Sequence, residues 1–196
     1  MKSSVKAATD FLDIYHLAVE PDVAICSQVR SEQEHFAAMY TGEQVVFDRP
    51  SILLAQIGIR PQMESTIIRW LENISQLQPS FDVHLNNFSG IPNHAVTIRI
   101  LDKQPLQHIL VRLASISEFI NSSDGSFVEL QLSPSVMLAA QLPEELYQKA
   151  IADYSKRTFT AQFSAQTLTL LRKEKESNSF QKCRQFHFHT PRFFAA

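Results

Sequence analysis

Pro50-Ser51-Ile52-Leu53-Leu54-Ala55 and Pro134-Ser135-Val136-Met137-Leu138-Ala139 are two copies of one short motif. Four of the six positions are identical, and the other two exchange one aliphatic or thioether side chain for another. Each copy follows a stretch of mixed polarity and precedes a helical pattern that a proline starts, at Pro61 and at Pro143. The shared context predicts a duplicated strand-then-helix unit, and an internal repeat bears on the whole fold.

The first half of the chain predicts the order β-α-β-α-β-β. Asp22 is the predicted N-cap of the first helix, in which apolar residues recur at helical spacing and Gln33 falls off their stripe. Asn86, Asn87, Ser89, Gly90 and Pro92 predict a turn between the last two strands. The predicted strands are Tyr15–Val19, Ser51 to about Ile57, Phe81–Leu85 and Ala95–Leu101, with helices after Asp22 and from Pro61.

The second half repeats this order of elements. Its first helix starts at Pro105 and has the clearest apolar stripe of the sequence, from Leu106 to Ile120. A polar loop is predicted from Lys173 to Lys182. The other predicted elements are strands at Phe127–Leu132, at the second motif copy, at Phe159–Phe163, Thr167–Arg172 and Gln185–His189, and a helix from Pro143.

These elements predict an α+β protein. Residues 1–196 are expected to form a single domain with two pseudo-symmetric lobes, each an antiparallel sheet with covering helices, around a central cleft. No low-complexity linker separates the two halves, which we place at about 13–102 and 103–190.

Composition excludes several classes of function. The formal net charge of -2 provides no overall field that would attract nucleic acid, so RNA or nucleotide binding needs a local basic patch. Cys26 and Cys183 give neither a disulfide framework nor metal-ligand spacing. The chain has no apolar signal core at its start and no apolar run of the roughly 20 residues that span a bilayer. We therefore expect a soluble, cytoplasmic protein without a membrane partner.

The order of elements, with a Pro-x-strand motif in each half, resembles the 2H phosphoesterase superfamily, which includes the bacterial 2'-5' RNA ligase-like proteins and the cyclic phosphodiesterases. Tyr15 to Pro21 is similar to that family's opening strand, and Pro134 to Ala150 to its second motif strand with the following helix. Phe159 through Arg172 is similar to its late paired strands. The resemblance covers the chain from Tyr15 to Phe188 and implies the 2'-5' RNA ligase-like fold.

Members of that family carry a His-x-Thr or His-x-Ser tripeptide on each motif strand. Residues i and i+2 of a strand point to one face, so each tripeptide offers an imidazole beside a hydroxyl. Two such strands place imidazoles on both sides of a phosphate, where one acts as general base and the other as general acid. The hydroxyls bind the non-bridging phosphate oxygens.

This chain departs from the family pattern at all four positions. Aligned on the two prolines, the histidine positions are Ser51 and Ser135, and the hydroxyl positions are Leu53 and Met137. A serine hydroxyl does not titrate near neutral pH, and general acid-base help is worth about 10²–10⁴ in rate. The sequence thus predicts a catalytically inactive relative with an apolar cleft floor. With Arg49, these four residues are the predicted ligand-binding cleft.

Other candidate residues give weaker signals. Ser51 and Ser135 as nucleophiles would each need a base and an oxyanion hole, and no Gly-x-Ser-x-Gly elbow is present. His187 and His189 share one strand face but lack a third ligand, so no metal and no cofactor is predicted. The remaining five histidines, His16 among them, receive no role. Arg60 and Arg99 can join Arg49 in binding phosphate only if they line the cleft.

Three classes of function remain open at this stage. The first is an inactive 2'-5' RNA ligase-like protein that keeps a nucleotide, an RNA end or another small ligand in its cleft. The second is an active ligase or 2',3'-cyclic phosphodiesterase that uses non-standard residues. The third is an interaction protein whose filled cleft binds nothing. The sequence leaves the oligomeric state and the biological process open.

Overall fold

The computed structural model describes residues 12–40, 49–92, 94–122, 125–174 and 179–190, which contain nine strands and four helices. A 3-10 turn, Pro61–Met63, leads into the second helix. The order of elements confirms the predicted α+β class. The elements are β1 (Asp13–Val19), α1 (Val23–Tyr40), β2 (Ile52–Ile59), α2 (Glu64–Gln76), β3 (Phe81–Ile91), β4 (Ala95–Ile100), α3 (Gln104–Asn121), β5 (Phe127–Leu130), β6 (Val136–Ala139), α4 (Glu144–Tyr154), β7 (Thr160–Ala165), β8 (Thr167–Lys173) and β9 (Phe180–His187).

One antiparallel sheet runs through the molecule in the order β7-β3-β4-β6-β2-β1-β8-β9, and β5 pairs with β2. The two motif strands, β2 and β6, are therefore neighbours in its middle. Strands from the two predicted sequence halves are interleaved along the sheet. The division of the chain at residues 102 and 103 stays a prediction.

The two motif copies are related by the register of the sheet. Ile52 pairs with Val136, so the antiparallel pairing of the two copies is centred on the third residue of each motif. Each motif strand also has one extra residue against its other neighbour: Leu54 against β1, and Leu138 against β4. These are the fifth residues of the two motifs. The duplication therefore extends from the sequence to the backbone, which carries a β-bulge at the same motif position in both copies.

Helix α1 begins where the sequence predicts. The Asp22 carboxylate accepts a hydrogen bond from the backbone N–H of Ile25 at 2.9 Å, which confirms the predicted N-cap. Most of the stripe predicted on α3 is buried in the core, and Ile67, Leu71 and Ile74 form a buried stripe on α2. Burial of these stripes removes apolar area from water and is the main stabilising term of such a layer.

The predicted turn between the third and fourth strands is wrong. Strand β3 continues through it to Ile91, with one extra residue opposite Arg99 of β4. Asn87 has a φ of 53°, which asparagine adopts more readily than most residues. Its side-chain oxygen accepts a hydrogen bond from the Phe159 N–H at 3.0 Å. The asparagine pair therefore forms a bulge within a strand, and only the end of the cluster lies in the turn.

The polar loop predicted from Lys173 to Lys182 is also wrong at both of its ends. Lys173 still belongs to β8, and β9 begins at Phe180 rather than at Gln185. Residues 175–178 of this prediction lie outside the described residues. Strand β9 is the edge of the sheet and its residues 181–185 are exposed, so its sequence has the polarity of a loop.

No helix in the described part of the chain has the length and apolar character needed to cross a membrane.

We expect Gly58→Ala to destabilise the fold by about 1–3 kcal/mol, the usual cost of overpacking a tight contact. Gly58 of β2 pairs with Phe127 of β5, and a Cβ atom at position 58 would overlap the Phe127 ring. Equilibrium unfolding in urea measures the effect. In a Phe127→Leu background the penalty should shrink, because the overlapping ring atoms are gone. Additive effects of the two substitutions would contradict the proposed contact.

Candidate functional site

A cleft of about 830 Å³ opens over the middle of the sheet. Its walls come from the end of β1, from α1, from the chain around β6 and the start of α4, and from the β8–β9 hairpin. The volume lies within the range of about 300–1,000 Å³ that small-molecule sites occupy.

All five residues predicted for the ligand-binding cleft line this one cavity: Arg49, Ser51, Leu53, Ser135 and Met137. The pairing of β2 with β6 explains why they come together. Ser51 and Ser135 each precede the first residue of a motif strand, so the antiparallel register sets Ser51 beside Met137 and Leu53 beside Ser135. The floor thus alternates hydroxyl and apolar side chains, and the two serines lie diagonally across it.

Glu20 organises the charged wall of the cleft. Its side chain is only 7% exposed, and Oε2 lies 2.7 Å from the Lys182 ammonium. Oε1 lies 3.5 Å from Nε of Arg49, which approaches from the start of β2. The buried hydroxyl of Thr169 donates a hydrogen bond to Oε2 at 3.2 Å. One carboxylate therefore holds two cations, both of which are partly exposed.

Arg49 also contacts the side chain of Cys26. A hydrogen bond with that side chain raises the pKa of Arg49, burial opposes the rise, and the Glu20 carboxylate adds to it. The guanidinium is consequently cationic throughout the physiological pH range.

A β-bulge brings Lys182 into the cleft. Lys182 pairs with Leu171 of β8, whereas Arg184 pairs with the adjacent Leu170. Cys183 is the extra residue between them. Because neighbouring residues of β8 point to opposite faces, Lys182 and Arg184 do so as well. Leu171 lines the cleft beside Lys182, and Arg184 instead contacts a carboxylate of α2.

Two rings stand together in the same cleft. His16 of β1 and Phe180 of β9 stack with ring centroids 3.7 Å apart and planes inclined by 15°. His16 is the one imidazole among the described residues that line the cleft. Sequence reasoning assigned it no role, because its position depends on the pairing of β1 with β8 and of β8 with β9.

Gln33 of α1 lines the cleft and is 4% exposed. Its side-chain N–H group donates to the backbone carbonyl of Met137 at 3.1 Å. Its Oε1 is buried and has no hydrogen-bond partner among the described residues. Buried polar atoms are nearly always paired, so this acceptor is suited to a donor group of a ligand or to water.

The remaining candidates do not join the site. Arg60 and Arg99 do not line the cleft, and the Arg99 guanidinium donates to the backbone oxygen of Asn86 at 3.2 Å. His187 and His189 are exposed at the end of β9 and just beyond it. Among the described residues, no group of three or more histidine, cysteine, aspartate or glutamate side chains is arranged to hold a metal ion.

Comparison with known proteins identifies the fold. No family model and no curated protein sequence matches the chain. Escherichia coli LigT complexed with 3'-AMP has a TM-score of 0.60 at 13% identity, with 92% of this chain and 99% of LigT covered. The Thermus thermophilus protein TT0787 has a TM-score of 0.61 at 12% identity, with 90% and 98% covered. A structure described as a phosphoesterase has a TM-score of 0.58 at 13% identity, with 92% and 99% covered. The predicted fold is confirmed.

We expect Glu20→Ala to destabilise the protein by about 1–3 kcal/mol, because it leaves the buried Thr169 hydroxyl and two cations without their shared acceptor. Glu72→Ala is the matched control, since Glu72 pairs with Arg184 at 3.1 Å on a solvated surface. The Glu72→Ala substitution should lower the free energy of unfolding by no more than about 0.5 kcal/mol. Urea unfolding of both variants measures the difference. Equal effects would show that the Glu20 cluster is solvated as thoroughly as an ordinary surface pair.

Proposed function

We propose that this chain, which has the fold of the 2'-5' RNA ligase LigT and of phosphoesterases, is a 2H phosphoesterase relative that binds a nucleotide or an RNA end without catalysing a reaction. One observation carries the proposal. The four positions aligned with the catalytic tripeptides lie side by side on the floor of an open cleft, and none of them holds an imidazole.

The chemistry of the floor argues against catalysis. Ser51 and Ser135 cannot exchange protons near neutral pH, so neither can serve as the general acid or base that the family places there. Leu53 and Met137 offer no strong hydrogen bond to a phosphate oxygen. Losing two general acid-base groups, each worth about 10²–10⁴ in rate, removes most of the family's catalytic advantage.

The walls of the cleft argue for binding. Two cations, and a buried acceptor that lacks a hydrogen-bond partner among the described residues, stand around a floor of hydroxyl and apolar side chains, as in sites that hold a small ligand by a few polar groups. Structures of E. coli LigT hold 3'-AMP, ATP or NADP+. By analogy of fold, a nucleotide is the first ligand class to test, and the open volume speaks against a filled cleft.

An active enzyme is the second candidate, and the imidazole of His16 is the observation that favours it. His16 lines the cleft and is the one imidazole among the described lining residues, and imidazole is the commonest general acid-base group. Its ring face is covered by Phe180, and no second imidazole stands opposite among the described residues. A one-histidine mechanism would therefore need a different arrangement from that of the family.

The first test measures turnover and binding together. We expect no hydrolysis of 2',3'-cyclic nucleotides, and an increase in melting temperature of roughly 5–10 °C at a nucleotide concentration about 100 times the Kd. Arg49→Ala should remove most of this increase, and the control Arg184→Ala should leave it intact because Arg184 points away from the cleft.

Three results would change the proposal. Turnover that Ser51→Ala or Ser135→Ala abolishes would overturn the inactive assignment, and turnover that His16→Ala abolishes would favour the second candidate. Absence of both turnover and stabilisation by any nucleotide would favour an interaction protein.

Restoring the family residues provides the converse test. The variant with Ser51→His, Leu53→Thr, Ser135→His and Met137→Thr should hydrolyse 2',3'-cyclic nucleotides at least about 10²-fold faster than the parent chain. The variant with only the two β2 substitutions, Ser51→His and Leu53→Thr, should give a much smaller increase in hydrolysis rate, because the general acid and the general base act together. Lack of turnover by a folded quadruple variant would show that β2 and β6 do not hold the tripeptides as the family does.

A further inference from the structure

The side chains that line the cleft carry a small net charge. Among the described residues that line it, the groups charged at every physiological pH are Arg49, Lys182 and Glu20. Two positive charges and one negative charge leave a surplus of one positive charge. His16 adds a further charge only when its imidazole is protonated.

Glu20 is the fixed member of this cluster. Its carboxylate is almost completely buried, and Thr169 adds a hydrogen bond, whereas the side chains of Arg49 and Lys182 are 50% and 39% exposed. A ligand anion that binds the two cations therefore lies close to the Glu20 carboxylate, which contacts both of them. The carboxylate cannot turn away to bulk water, so its repulsion acts on every anion that binds there.

Apart from His16, the rest of the described cleft lining carries no positively charged side chain. Its other polar side chains, Ser51, Ser135, Gln131 and Gln141 among them, are neutral, and most of the remaining lining is apolar. Gln33 Oε1, the buried atom that lacks a partner among the described residues, is an acceptor and repels anions. Burying a charge without a partner is costly, so a second or third ligand charge would weaken binding.

We propose that Glu20 is the specificity-determining residue of the cleft. It restricts the ligand to an anion with one negative charge beside Arg49 and Lys182, an uncharged body on the uncharged floor, and a hydrogen-bond donor for Gln33. This inference rests on the proposed binding function and adds the charge class of the ligand. Phosphodiesters fit this class, whereas phosphomonoesters and polyphosphates exceed it.

The experiment compares ligands that share one base and differ in charge. At pH 8, 3',5'-cyclic AMP carries one negative charge, and AMP carries about two because its second phosphate pKa is near 6. ATP extends the series to higher charge. Calorimetric titration of the parent chain should show the tightest binding for cyclic AMP, with AMP at least about tenfold weaker and ATP weaker still.

The Glu20→Gln variant keeps the shape of the side chain and removes its charge. AMP affinity should rise by about tenfold or more, and cyclic AMP affinity should change less, so that the preference for one charge is lost. Glu72→Gln removes a charge outside the cleft and should leave both affinities as they are. Lys182→Met brings the cluster to zero net charge, and it should weaken cyclic AMP binding by about tenfold and abolish AMP binding.

The outcomes separate this inference from the proposed function. Binding of AMP or ATP as tightly as cyclic AMP by the parent chain would overturn the charge limit and leave nucleotide binding standing. An unchanged preference in a folded Glu20→Gln variant would overturn the role of Glu20. If the Glu20→Gln variant does not fold, the ligand series on the parent chain and the Lys182→Met variant still test the inference. Unchanged affinity of Lys182→Met for both cyclic AMP and AMP would show that the Glu20 cluster does not bind the ligand. Failure of every ligand to bind would overturn both proposals.

Discussion

The register between β2 and β6 is the constraint on which the rest of the structure depends. Ile52 and Val136 are completely buried and pair with each other, which aligns the two motif copies in the middle of the sheet. A slip of one residue would reverse the faces of a strand. It would turn Leu53 into the core and place Ile52 in the cleft. Hydrophobic burial on one face of the sheet therefore determines which side chains form the cleft floor on the other.

The β-bulges also determine which side chains face the cleft. Those at Leu54 and Leu138 occupy equivalent motif positions and keep the floor symmetric. The bulge at Cys183 has no such counterpart in the motif, and it turns Lys182 toward the cleft on one side alone. The floor is thus a product of the duplication, whereas the charged wall belongs to one edge of the sheet. Ligand selectivity in the proposed function comes from that asymmetric part.

The placement of the floor residues in one cavity could be predicted from the sequence, because the signal is local. A repeated hexapeptide carries both the strand and the alternation that points Ser51 and Leu53 the same way. The wall depends on non-local pairing of β1, β8 and β9, and an exposed edge strand has the composition of a loop, so Lys182 was placed in one. The prediction that Gln33 falls off the apolar stripe of α1 is wrong. Gln33 lies four residues after Val29 and three before Phe36, and it shares their buried face.

In the proposed function, the residues at the four tripeptide positions affect more than the reaction. Histidine and threonine on the floor would bind a phosphate with titrating and hydrogen-bonding groups, whereas Leu53 and Met137 cannot do so and Ser51 and Ser135 offer only neutral hydroxyls. The charge of a ligand must then be met from the wall, where two cations already share one carboxylate. Because the carboxylate is buried and the cations are not, a ligand under the proposed function would compete for the cations and could not displace Glu20. A floor without charged side chains would thus leave control over the charge of the ligand to the wall, whereas a floor of histidine and threonine would share it.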